Sequence, residues 1–135
     1  MTRRDDPSDP QAWLQRAKSN LNLAEKGSCI QDVYLEDLCF HTQQAAEKAL
    51  KALCVGEEIE FPKTHSLVML MDILQRAGIE IPEQIKSADV LTQYAVETRY
   101  PGLEEEITNE EYQQAYQLAA SVLTWVEEEL TKRKK

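Results

Sequence analysis

Glycine and proline are scarce in this sequence, at four and five residues of 135. A turn-rich β fold uses more of both, so the scarcity favours helices. Cysteine is scarce too: Cys29, Cys39 and Cys54 are an odd number with no C-x-x-C spacing. That argues against a disulfide framework and against a zinc site. It fits a reducing cytoplasm, with Cys39 and Cys54 as small apolar side chains. No run approaches the roughly 18–20 apolar residues of a membrane span. The opening MTRRDDPSDP has two arginines with no apolar region behind them, so it does not read as a secretory signal. Histidine occurs twice, as His41 and His65. There is no glycine-rich phosphate loop, no G-x-S-x-G and no H-E-x-x-H. The E-x-x-H pairs of a di-iron bundle are missing, and two histidines alone do not make a metal site. A Ser-His-Asp triad has no supporting context. No metal and no cofactor is therefore expected. Positive charge is in deficit, with a net charge of −9. Binding to double-stranded DNA usually requires a basic surface, so it is disfavoured, although a local basic pocket remains compatible.

What is present is helix-forming sequence. The stretch Tyr34 to Val55, YLEDLCFHTQQAAEKALKALCV, holds neither Pro nor Gly, and its second half is rich in Ala, Leu, Lys and Glu. Those residues lose little freedom in a helix. At about 100° per residue, Leu35, Leu38, Cys39, Thr42, Ala45, Ala46, Ala49 and Leu53 share one face. Glu36, Phe40, Gln43, Glu47 and Lys51 point largely away from it. The alanines allow a neighbouring backbone to come close, which predicts the central helix of a bundle. His41, Gln44 and Lys48 form one polar flank of the stripe.

Asp9-Pro10 predicts a helix start, followed at helical spacing by Trp13, Leu14, Ala17, Leu21 and Ala24 and ended at Gly27. Glu57 to Lys63 reads as a loop, after which Thr64 or Ser66 caps a third helix with Leu67, Leu70, Met71, Leu74 and Ala77 on its buried face. Gly78 ends it. Ile79, Ile81 and Ile85 fasten a bend, and Pro82 opens a short fourth helix carrying Ile85, Ala88, Leu91 and Thr92. Tyr100-Pro101-Gly102 breaks any helix. Thr108 and Glu111 make a capping box for the last one. Its core face is Tyr112, Ala115, Tyr116, Ala119, Val122, Leu123, Val126 and Leu130. The predicted fold is all-α: a single domain over 1–135, an antiparallel up-and-down bundle of four main helices plus a short one. Residues 1–8 and 131–135 are expected to be frayed, and the terminal KRKK has the charge that suits a helix C-terminus.

The candidate binding residues are His41, Gln44, Lys48, Lys63, His65, Arg99 and Tyr100. Lys63 and His65 precede a helix N-terminus, where free amides attract phosphate. Arg99 can grip a phosphate through two hydrogen bonds, and Tyr100 can stack on a base. Three blocks carry a family resemblance: FHTQQAAEKALKAL (Phe40 to Leu53), FPKTHSL (Phe61 to Leu67) and TRYPG (Thr98 to Gly102). Together they resemble the HEPN domain over nearly the whole chain. The resemblance implies a helical bundle that forms a homodimer with a groove near the subunit interface. It also implies a minimal nucleotidyltransferase partner, in a two-component module of toxin–antitoxin type, and nucleotide binding or RNA cleavage. The seven candidate residues fall on the three blocks. Ribonuclease members carry an arginine followed four to six residues later by a histidine. Here Arg99 is followed by YPGLEEEI, and no other arginine supplies the pattern. A nucleotide- or RNA-binding module is therefore favoured over its alternatives, a metal-independent ribonuclease and a structural subunit that docks a basic partner through Glu104 to Glu106 and Glu127 to Glu129.

Overall fold

The computed structural model describes residues 5–95 and 106–133. Asp9 caps the first helix, α1 (Pro10–Gly27), its side chain accepting from the Gln11 amide. Pro10 enters where its missing N–H has no partner to lose. The helix ends at Gly27, but without a left-handed step, since the following Ser28 keeps φ −66°. The glycine serves close contact: a Cβ on Gly27 would lie 2.3 Å from Leu38 Cδ2.

The second helix, α2 (Leu35–Gly56), is the centre of the molecule. Leu38, Cys39, Thr42, Ala45, Ala46, Ala49 and Leu53 are buried along it, as the wheel requires. Gln43, Glu47 and Lys51 depart from the expectation that they point away, being 0, 3 and 8% exposed. The cause is the number of neighbours, because α2 is contacted by every other long helix and by the 3₁₀ segment described below. A helix so enclosed has little solvated surface, and its polar residues must satisfy one another.

After Glu58 (φ 57°) the chain runs into α3 (Leu67–Arg76). Of the two caps weighed, Ser66 is the one used, accepting from the Met69 amide. Leu67, Leu70, Met71 and Leu74 are buried, whereas Ala77 lies beyond the helix end and is exposed. Gly78 then takes φ +96°, a conformation costly for residues with a Cβ. Ile79, Ile81 and Ile85 close over the core. The predicted fourth helix is a single α turn, α4 (Glu83–Lys86), continued by a 3₁₀ helix over Ser87–Tyr94. Thr92 Oγ1 ties that segment to α3 by accepting from the Leu67 amide at 3.2 Å.

The capping box is formed at the start of α5 (Asn109–Arg133): the Thr108 amide donates to Glu111 at 2.9 Å, and the Glu111 amide donates to Thr108 Oγ1 at 3.1 Å. Tyr112, Ala115, Ala119, Val122, Leu123, Val126 and Leu130 are buried, and Tyr116 is half-buried. The helix runs into the tail expected to fray, since Arg133 reaches Glu57 at 3.1 Å and Glu129 at 3.2 Å. The bundle is all-helical, with no strand among the described residues.

Tyr112 ties α5 to α1 by donating to the Ala24 carbonyl at 2.6 Å. Tyr112→Phe should lower the unfolding free energy by about 0.5–1.5 kcal/mol. Urea unfolding would report this as a lower midpoint at unchanged slope.

Candidate functional site

Two polar clusters meet on one side of α2. The first hangs on Asn20 of α1, which is 8% exposed. Its amide nitrogen donates to His41 Nδ1 at 3.0 Å, and its oxygen accepts from Lys48 Nζ at 2.8 Å. Accepting at Nδ1 leaves the neutral His41 ring with its proton on Nε2. The second cluster hangs on Glu47. Its Oε1 accepts from Gln43 at 3.0 Å and from His65 Nδ1 at 2.9 Å, and its Oε2 accepts from Lys51 at 2.8 Å. Gln43 also donates to the His65 carbonyl at 3.1 Å and accepts from Gln44 at 2.7 Å. Gln44 belongs to the second cluster, donating to Gln43 at 2.7 Å and to Glu47 at 3.4 Å, and the two clusters side by side on α2 make up a polar belt from His65 to His41.

The electrostatics follow from this arrangement. Burial pushes the Glu47 carboxyl up, but hydrogen bonds from Lys51, Gln43 and His65 outweigh it and hold the group below the usual carboxylate range. Lys51 is capped by aromatic faces, its ammonium 5.9 Å from the Trp13 ring centre and 5.7 Å from that of Phe61. The two rings meet edge to face at 6.0 Å. Burial lowers the Lys48 ammonium; Glu47 opposes that shift, and repulsion from Arg16 and Lys51 adds to it. Arg16, Lys48 and Lys51 thus lie in one region of an acidic protein; Lys51 and Arg16 are paired with Glu47 and Asp5, whereas Lys48 is held by the neutral Asn20. Burial raises the Cys54 thiol to about 11, so it is inert as a nucleophile.

The structure treats the seven candidate residues unequally. His41, Gln44, Lys48 and His65 belong to the belt. Lys63 is exposed on the lead-in to α3. Arg99 and Tyr100 lie outside the described residues. The α3 N-terminus is less open to phosphate than expected, because the Leu67 amide goes to Thr92 and the Met69 amide to Ser66. Sequence reasoning missed Asn20, Gln43, Glu47 and Lys51. The last three are spaced by four and so stack on one helix face, a signal that was present. Asn20 has no such marker. The acidic run near the C-terminus is partly spent internally: Glu127 pairs with Lys18 at 2.9 Å, and Glu129 pairs with Lys132 and Arg133. Among the described residues no group of three or more His, Cys, Asp or Glu is placed to hold a metal ion. No helix among them is long and apolar enough to cross a membrane.

The family model of the HEPN domain matches residues 10–129. This chain belongs to the HEPN family. TT1696 from Thermus thermophilus is similar in structure, at 33% identity and a TM-score of 0.72, over 88% of this chain and 96% of that one. ST0689, an archaeal HEPN homologue, matches at 26% identity and a TM-score of 0.68, over 90% of this chain and 98% of that one. No curated protein matches the chain. The HEPN match takes in both clusters of the belt and begins just after the segment Asp5 to Asp9.

Proposed function

We propose that this HEPN protein is a binding module for a nucleotide or short RNA, working with a minimal nucleotidyltransferase in a two-component system of toxin–antitoxin type. The observation that carries it is the belt: His41, Lys48 and His65 are each held by a buried partner, Asn20 or Glu47, on a protein of net charge −9. Such groups are set in place before a ligand arrives, which reduces the ordering cost of binding. Lys48, Lys63 and Arg99 meet phosphate, His41 and His65 donate or accept hydrogen bonds, and Tyr100 contacts a base. A homodimer, with the belt near its interface, completes the proposal.

Calorimetry with ATP and a short single-stranded RNA tests the binding. Lys48→Met keeps the aliphatic stem and removes the charge, and it should weaken binding by about ten- to a hundredfold, the range for a lost hydrogen bond to a charged group. Unchanged affinity would remove Lys48 from the site. Arg99→Ala should weaken binding without unfolding the protein.

One observation favours a second reading, a metal-independent ribonuclease. The Glu47 carboxylate can only accept from His65 Nδ1, so that nitrogen carries the proton and Nε2 is left to take one from a 2′-hydroxyl. The His65 side chain is 68% exposed and open to substrate. Incubation of wild type and His65→Ala with total RNA in EDTA decides between the readings. Cleavage by wild type alone establishes the enzyme; no cleavage, or equal cleavage by both, rejects it.

A further inference from the structure

On the α1 side of the belt, the segment leading into α1 folds back over a cavity of about 330 Å³. Trp13, Arg16 and Ala12 of α1 line it with Lys48 of α2, and Asp5, Asp6 and Pro7 close it. The volume falls within the range of small-molecule sites, and the wall sets an aromatic ring beside two cations and two carboxylates, Asp5 and Asp6. Asp5 already occupies the anion position: its carboxylate accepts from Arg16 Nε at 3.0 Å and from the Arg16 terminal nitrogen. The indole nitrogen of Trp13 is held in turn by the Pro7 carbonyl at 2.9 Å. The fold has thus placed a carboxylate from its own N-terminal segment on Arg16, whose charge also repels that of Lys48.

We infer that this cavity is a binding site for a small aromatic phosphate, whose phosphate replaces the Asp5 carboxylate on Arg16 and reaches Lys48 while its ring lies against Trp13. The segment Asp5 to Pro7 is then a tethered competitor that a ligand must displace. The inference shares Lys48 with the proposed function and deepens it by placing the ligand against α1. The competitor itself lies outside residues 10–129, the span matched by the HEPN model. Displacement is easy by construction, because both Arg16 and Asp5 side chains are 61% exposed and an exposed ion pair of this kind is weak.

The test is a titration with AMP, followed by the Trp13 indole N–H resonance, which Trp125→Phe assigns. AMP should shift that resonance as the bond to Pro7 is released. Asp5→Asn should bind AMP about two- to fivefold more tightly, the range of a weak surface pair removed from competition. Arg16→Gln should weaken binding at least about tenfold. Inorganic phosphate should compete with AMP while moving the indole signal less. An unmoved Trp13 signal with a responding His65 ring would overturn the cavity and leave the belt. A moving Trp13 signal that Asp5→Asn does not strengthen would overturn the competitor. Silence of both signals would remove the cavity and the belt together.

Discussion

Glu47→Ala is expected to destabilise the fold by about 3–5 kcal/mol, the range for breaking one side of a buried ion pair. The side chain accepts hydrogen bonds from Gln43, Lys51 and His65 and a longer one from Gln44, so its loss takes an acceptor from four donors. Lys51 suffers most, because the residue is 8% exposed and its ammonium sits against two aromatic rings. A domain of this size has about 5–15 kcal/mol of stability in all, so the change removes a large share of it. Replacing both partners, as Glu47→Leu with Lys51→Met, should recover much of the loss, since a buried pair is worth little over apolar side chains of similar volume. Chemical denaturation of the single and double variants measures both effects.

The same carboxylate sets an acid limb. Its folded value lies below that of the unfolded chain, which is about 4.3 for glutamate. Glu47 therefore stabilises the fold above the unfolded-chain value. That contribution fades as pH falls through the lower, folded value. In Glu47→Gln this part of the pH dependence should disappear, and stability measured from pH 7 down to pH 3 should fall less steeply than in wild type.

Leu50→Ala is the second large effect expected. Leu50 lies on α2 at 0% exposure, where α1, α3 and α5 all make contact with the helix. Truncation removes buried methyl groups and leaves a cavity that close-packed neighbours fill only in part, which lowers stability by about 2–5 kcal/mol. Val68→Ala is the contrast. Val68 is 56% exposed on α3, and its truncation should stay within about 0.5 kcal/mol. Urea midpoints of the two variants that coincide would contradict the placement of the core.

Helical period and capping chemistry made most of the architecture legible. Asp9-Pro10 and the Thr108–Glu111 box mark helix starts through local hydrogen bonds, which depend on nothing distant. The alanines of α2 correctly marked a helix that others approach closely. The wheel failed at Gln43, Glu47 and Lys51 because it sorts residues by polarity, whereas burial depends on how many elements surround the helix. Their spacing by four carried the missing information, as a ladder of groups able to bond one another. Gly27 was legible as a helix end but not as a contact, because the pressure on it comes from Leu38 in the next helix. Asn20 bridges two helices through its fold position alone. The fourth helix passes from α into 3₁₀ at Ser87, and Thr92 within that segment is tied to α3 by a bond that local spacing does not announce.

The belt on α2 sets two imidazoles against buried partners, and their nitrogen resonances report directly on the proposed binding. A ¹⁵N titration with ATP should shift the ring signals of His41 and His65 along one common binding curve, and Lys48→Met should move that curve to higher concentration. Rings that stay at their free positions at millimolar ATP and RNA, in a protein that remains folded, would show that the belt is only structural.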